Sequence, residues 1–413
     1  MSGMGYSKET FIGISWVGAF RIFSRCIAFL RIIILARILT PMQFGVFGIA
    51  AMALALLEIL TETGINVFLV QKKDDLREYI NDAWLVSIFR GLLIAVLIVL
   101  TAPLIISFFK IPQSKELILL ISIVPCIRGF INPAEVKFQK DLQFGKEFYF
   151  KMAIFSLDSL VAMIITLITH NAMGLVFGLI AGAIFEVILS FILIKPIPTL
   201  KFNLQKISKI FHNGKWVTLY GIINYAASKG DSVIIGRLLG SGLLGIYQMG
   251  YTVSTIPISE IVDTTNRVTF PVYAKIAGDI NRLKKAFMRT ILLVSAVSIL
   301  IGTVIFFFPK DLFILIFGQK WADAMIVLKP LAIYGVIRSI SGATSSLFLS
   351  VGRQNYVAAM TLARFIVLAI TIIPLTMTYG IFGSSISVLL SGIIELPTSW
   401  YFAKNVFKSE IVK

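Results

Sequence analysis

Ile291–Phe308 reads ILLVSAVSILIGTVIFFF, a stretch without one charged side chain. Coiled at 1.5 Å per residue, such a run crosses most of a hydrocarbon core of roughly 30 Å. Gly91–Phe109, GLLIAVLIVLTAPLIISFF, is of the same kind. Strands of a membrane barrel would show segments of about ten residues with alternating polarity, a pattern these runs do not have. The whole chain follows the same bias: 57% of its 413 residues are hydrophobic against 14% charged. A soluble domain of this length has no core large enough to hide that much apolar surface, so lipid must be the solvent.

Reading outward with Gly, Pro and charge as punctuation gives about twelve spanning helices, hence an all-α integral membrane protein. In the first half they centre on 11–36, 43–70, 80–108, 116–138, 147–169 and 172–194. The second half gives 215–238, 242–268, 285–308, 323–349, 355–377 and 379–403. Leu35-Ala36-Arg37-Ile38-Leu39 followed by Gly45-Val46-Phe47 returns as Ile235-Gly236-Arg237-Leu238-Leu239 followed by Gly245-Ile246-Tyr247. A weaker echo pairs Gly145-Lys146 with Gly352-Arg353, and Gly174 with Gly380. Such self-similarity divides the chain into two pseudo-symmetric bundles of about six helices each. The expected organisation is an N-terminal bundle over 1–194, a basic linker over 195–215 containing Pro196 and Pro198, and a C-terminal bundle over 216–413. An even number of helices per bundle makes the repeats parallel, the plan of transporters that rock two bundles about a central site.

Lys and Arg concentrate in alternate connections, among them Lys72, Lys73, Lys137, Lys140, Lys195, Lys201, Lys284 and Lys285, which places those loops and both termini in the cytoplasm. The net charge of +17 is therefore a topology signal, and no nucleic acid partner is expected. Lys8 precedes an apolar segment carrying Arg21, Arg25 and Arg31, which reads as a retained first helix and not a cleaved signal. Cys26 and Cys126 lie in apolar segments as small hydrophobes, so no disulfide framework is implied. His170 and His212, the only histidines, offer too little for a metal site or a triad, and no Walker-type phosphate loop occurs. No catalytic residue, metal or cofactor is expected.

Charge inside a spanning helix is costly, so each instance marks a polar interior or a pair. The candidates for a cationic, substrate-binding cavity are Arg21, Arg25, Arg90, Arg128, Lys229 and Arg338, because guanidinium groups present a planar fork that matches phosphate oxygens. For Arg90 and Arg364 the competing expectation is snorkelling to an interface. Among the carboxylates, Asp158 and Asp231 are candidates for carrying a coupling ion. Asp158 reads as the lone carboxylate, whereas Asp231 has a competing structural role in a pair with Lys229 or with Arg31, its counterpart in the repeat. Glu58, Glu62, Glu186, Glu260, Asp263 and Glu395 carry no assigned role. Pro103, Pro125, Pro257, Pro330, Pro374 and Pro397 are candidate bends.

At Leu35-Ala36-Arg37-Ile38-Leu39-Thr40-Pro41 with Phe44-Gly45, and at Asp231 through Gly240, Leu244-Gly245-Ile246-Tyr247 and Phe270-Pro271, the chain resembles the Wzx-type polysaccharide flippases. These belong to the multidrug/oligosaccharidyl-lipid/polysaccharide exporter superfamily. The resemblance implies two bundles in a V, alternating access, and a cavity for the pyrophosphate head of an undecaprenyl-linked oligosaccharide moved from the cytoplasmic to the outer leaflet of the inner membrane. Some relatives carry fourteen helices, so a role of an extra pair does not transfer. The substrate and membrane lipids are then the partners, with proteins of the same export pathway as candidates for the basic loops. Both bundles lie in one chain, so a monomer is expected. Competing readings are a peptidoglycan-precursor flippase, a drug/cation antiporter, which would favour an acidic cavity, and a membrane glycan polymerase or ligase, which would need a large outer loop.

Overall fold

The structure, a computed structural model, describes residues 23–62, 69, 79–141, 143–199, 204–308 and 310–408. Those residues are helical or irregular, without a strand. The chain divides into two compact units, Met1–Tyr225 and Ala226–Lys413.

In the first unit α1 (23–38) leads directly into α2 (Pro41–Leu60). Thr40 caps α2 by accepting from the Gln43 amide while the Gln43 side chain accepts from the Thr40 amide, and Pro41 occupies the first turn, where its missing N–H costs nothing. α3 (Ile80–Phe109) follows and ends at Lys110 in the left-handed region. The fourth expected helix, 116–138, is not one helix but α4 (Lys115–Ile121), α5 (Ile123–Arg128), a 3-10 turn (Pro133–Val136) and α6 (Lys137–Lys140). Pro133 lacks an amide donor, and Asn132 supplies the replacement bonds: its side chain accepts from the Ala134 amide and donates to the Ile194 and Pro196 carbonyls. α7 (Phe144–Thr169) and α8 (Met173–Leu193) form an antiparallel pair around His170, which is left-handed.

The chain from 204 onward, including much of the expected linker, is helical: α9 (Leu204–Ile276) bends at Gly240, and its first part closes the first unit. In the second unit α10 (Ile280–Phe306), α11 (Lys310–Phe317) and α12 (Met325–Ser350) precede α13 (Gln354–Lys408), which turns at Gly380. The break before α2 at 39–40 and the break at Gly240 stand at the repeat's own spacing. Pro103 and Pro330 lie within α3 and α12, which have no dihedral break, and Pro257, Pro374 and Pro397 lie within α9 and α13, whose breaks fall at Gly240 and Gly380. At Gly240 φ is +83° and ψ 173°, a region that a side chain enters only at about 1–3 kcal/mol. Gly240→Val is therefore expected to lower stability by that amount, read as a lower midpoint of thermal unfolding in detergent.

Eight described helices are long and apolar enough to cross a membrane, and two of these, α9 and α13, each hold two helices. With α1 and the broken α4–α6 stretch, they account for the all-helical, two-unit membrane fold. Its packing is inverted relative to a soluble protein. Leu100, Leu104, Ile168, Leu315, Ile370 and Met377 point outward, whereas Ser298, Ser339, Ser384, Ser387 and Ser391 are buried between helices. Lipid rewards the first set, and small side chains let backbones approach in the second.

Candidate functional site

Each unit holds ionisable side chains within its helices. In the first, Glu58 lies in the last turn of α2 and Glu62 just beyond its end, and Arg90 of α3 crosses that end. Arg90 Nη2 donates to the Glu58 carbonyl at 2.6 Å and to Glu62 Oε2 at 3.0 Å, and its Nε donates to Thr61 Oγ1 at 3.3 Å. It thus satisfies an orphan carbonyl at the negative end of the α2 dipole. Arg128, the last residue of α5, stands 3.6 Å from Glu58 Oε1, and its side chain is 41% exposed. Lys151 of α7 meets Glu147 at 2.9 Å and Glu135 at 3.8 Å.

Glu58, Glu62, Arg90, Arg128, Glu135 and Lys151 line one cavity of about 510 Å³, well within the range of small-molecule sites. Glu186 of α8 is in electrostatic range of Arg128 and Lys151. Close contact between α3 and α5 builds this wall. A Cβ on Gly129 would lie 2.9 Å from the Ser87 carbonyl, and one on Gly91 would collide with the Pro125 carbonyl. Gly91→Leu is expected to prise the two helices apart and cost about 1–3 kcal/mol. The check is thermal unfolding beside Leu92→Ala, whose side chain is exposed.

Arg31 Nη1 bonds Asp158 Oδ2 at 3.2 Å and ties α1 to α7. Asp158 is therefore not the lone carboxylate the sequence suggests, and Arg31 is committed to it instead of to Asp231. Two glycines of α8 make room for the pair: a Cβ on Gly178 would lie 2.7 Å from Asp158 Oδ1, and one on Gly182 3.0 Å from its Cβ.

In the second unit Asp231 is buried and accepts from the Tyr247 hydroxyl at 2.7 Å and the Ser232 amide at 2.6 Å, with Lys229 in electrostatic range. Tyr247, Tyr251 and Tyr334 follow one another at centroid separations of 6.1 and 6.5 Å. Beyond them Arg338 Nη1 meets Glu395 Oε1 at 2.7 Å; the Arg338 side chain is 39% exposed and that of Glu395 2%. Arg364 does not snorkel to an interface: it is 5% exposed and donates to the Tyr334 hydroxyl at 3.4 Å. It lies within the first half of α13, packed against α12, and that packing overrides the reach of its side chain.

The sequence candidates thus separate. Arg90 and Arg128 meet in the first-unit cavity, and Arg338 belongs to the second-unit cluster. Arg25 and Lys229 are exposed on α1 and α9, and Arg21 lies outside the described residues. Glu135 and Glu147 escaped the sequence reading because they sit in first turns, where charge is ordinary, and Lys151, two turns into α7, escaped with them. The i,i+4 spacing of Glu147 and Lys151 was the one available signal.

This helical fold, with charge pairs inside apolar helices, is shared with solved transporters of the MOP superfamily. An inward-facing multidrug resistance MATE transporter of that superfamily superposes with a TM-score of 0.70 over 94% of this chain and 96% of its own, at 14% identity. Lipid II flippase MurJ in an inward closed conformation gives 0.73 over 94% and 88%, at 15% identity. The chain belongs to the polysaccharide biosynthesis protein family, whose sequence model matches residues 34–326. Among its relatives, an uncharacterized membrane protein in the cps region of Klebsiella pneumoniae is 28% identical over 91% of this chain and 78% of that protein. The lipopolysaccharide biosynthesis protein WzxC of Escherichia coli is 23% identical over 96% and 81%. The teichuronic acid biosynthesis protein TuaB of Bacillus subtilis is 26% identical over 84% and 73%.

Proposed function

We propose that the protein is a flippase that carries an undecaprenyl-pyrophosphate-linked oligosaccharide from the cytoplasmic to the outer leaflet of the inner membrane by alternating access. The observation that carries this reading is a set of guanidinium groups, Arg90 and Arg338 inside spanning helices and Arg128 at the end of the short α5, each paired with a carboxylate and still partly exposed. A pyrophosphate leaving water must exchange its hydration for charge-assisted hydrogen bonds, and a guanidinium provides two in one plane. Carboxylate partners keep these cations compensated while the site is empty, and the 3.6 Å separation of Arg128 from Glu58 is loose enough for a phosphoryl oxygen to replace the carboxylate.

Arg21, Arg25 and Lys229 extend the cationic set in this reading, the bundles 1–194 and 216–413 rock about the site, and both termini are cytoplasmic. Asp231, buried with only neutral hydrogen-bond donors on its carboxylate, is the better of the two ion-coupling candidates; Asp158 is already engaged by Arg31. The family's place in polysaccharide biosynthesis and its relatives' names support the cargo class. The test is reconstitution in liposomes with an undecaprenyl-pyrophosphate oligosaccharide and an external glycan-cleaving enzyme. Time-dependent loss of protection from that enzyme is expected. Full retention of protection by folded protein, across several glycans, would overturn the proposed cargo.

A further inference from the structure

Around Tyr334 the second unit brings together Glu395, Arg338 and Arg364, and the hydrogen bonding of the two buried members, Glu395 and Arg364, is incomplete. Glu395 gives Oε1 to Arg338, yet its Oε2 is buried without a hydrogen-bond partner. Arg364 is buried, its Nη1 has only the long bond to the Tyr334 hydroxyl, and its Nε has no partner. Among the described residues no carboxylate lies within ion-pair distance of Arg364. An uncompensated buried guanidinium and a half-used buried carboxylate in one cluster are each unfavourable, and each is what the other lacks.

Topology places them together. Arg364 and Glu395 lie in the two antiparallel halves of α13, roughly 24 and 22 Å along the helix from Gly380 at 1.5 Å per residue, and hence at the same depth. Tyr334 bridges both halves: its hydroxyl accepts from Arg364, and its ring packs on Gly392, one turn before Glu395. Arg338 follows Tyr334 by one turn on α12 and is the exposed member of the set, with Tyr251 and Asp263 in electrostatic range.

We infer that Arg338 is the receptor for a phosphoryl oxyanion, and that Glu395 changes partner from Arg338 to Arg364 when the anion binds. The anion takes the fork that Glu395 vacates, and the carboxylate then neutralises the buried guanidinium, so no charge in the cluster is left unpaired. Glu395 and Arg364 act through Arg338 and are positioning residues. The exchange shifts the tie of α13 from α12 onto itself, which couples anion arrival to helix packing. The inference rests on the flippase reading only for the source of the anion, the pyrophosphate head of the cargo.

The test is titration of purified full-length protein in nanodiscs with inorganic pyrophosphate by calorimetry, alongside the liposome assay. Glu395→Gln, nearly isosteric, releases Arg338 and is expected to tighten pyrophosphate binding about tenfold while slowing translocation. Arg338→Gln is expected to weaken binding well over tenfold and to remove the response to Glu395→Gln. Arg364→Gln removes the destination of Glu395 and is expected to weaken binding about tenfold, with partial rescue by Arg364→Lys.

The decisive arm is Arg364→Gln placed in the Glu395→Gln background, where no further change is expected. Equal weakening in both backgrounds would mean that Arg364 meets the anion directly and would overturn the exchange. Unchanged affinity in Glu395→Gln, or no binding by the wild type, would also overturn it. If the cycle holds and no oligosaccharide is translocated, the exchange stands and the cargo assignment fails; translocation with a flat cycle gives the reverse.

Discussion

Asp158→Ala is expected to destabilise the first unit by about 3–5 kcal/mol, because it leaves the Arg31 guanidinium largely buried without its carboxylate. The pair sits where α8 offers only Gly178 and Gly182, so no other side chain there can take over the bond. The double variant Arg31→Met/Asp158→Leu removes both charges and is expected to recover most of the loss, since a buried ion pair replaced by apolar side chains of similar volume is often close to neutral. Thermal or denaturant unfolding of the three proteins in detergent gives the stabilities. A double variant that folds yet no longer translocates would return Asp158 to the coupling candidates, whereas one that translocates normally assigns the pair to structure alone.

Arg128→Ala is expected to reduce translocation by well over tenfold, reflecting the roughly 2–5 kcal/mol lost when one partner of a desolvated charge-assisted contact is removed. Arg128 is the most exposed cation of the first-unit cavity, and among the described residues its one ion pair is the loose contact with Glu58. Arg128→Lys keeps the charge but not the planar fork, and an intermediate rate is expected. Arg90→Ala serves as the contrast: Arg90 caps the end of α2, so its removal is expected to lower stability along with transport. Initial rates in the liposome assay, normalised to folded protein from size-exclusion profiles, separate these outcomes. An Arg128→Ala rate equal to wild type would remove this cavity from the substrate path.

Much of the fold was legible because membrane spans leave a coarse signal. Uninterrupted runs such as Gly91–Phe109 have one solution in lipid, and the repeat at Leu35–Phe47 and Ile235–Tyr247 marked the two-fold organisation. The stretch 116–138 shows the limit. Its hydropathy suits one helix, but Pro133 and the tight α3–α5 crossing at Gly91 and Gly129 divide it, and neither crossing partner can be read from a single sequence. The prolines expected inside helices do lie there, while the two dihedral breaks inside the long helices fall at Gly240 and Gly380, which hydropathy does not mark.

The site was legible as a list of residues and not as a set of pairs. The cost of charge in lipid picks out Arg31, Arg90, Arg128, Asp158, Arg338, Arg364 and Glu395 from sequence alone, whatever their neighbours. Partner choice depends on which helix faces lie together. Arg31 meets Asp158 across 127 residues of chain and Arg338 meets Glu395 across 57, distances over which hydropathy carries no information. Sequence by itself therefore determined the solvent, the helical class and the supply of intramembrane charge, because those follow from transfer free energies of individual segments. Only the tertiary structure decided which charges neutralise one another and which, like Arg364, are buried without a carboxylate among the described residues, because Coulomb interactions at a few ångströms depend on packing that no single segment contains.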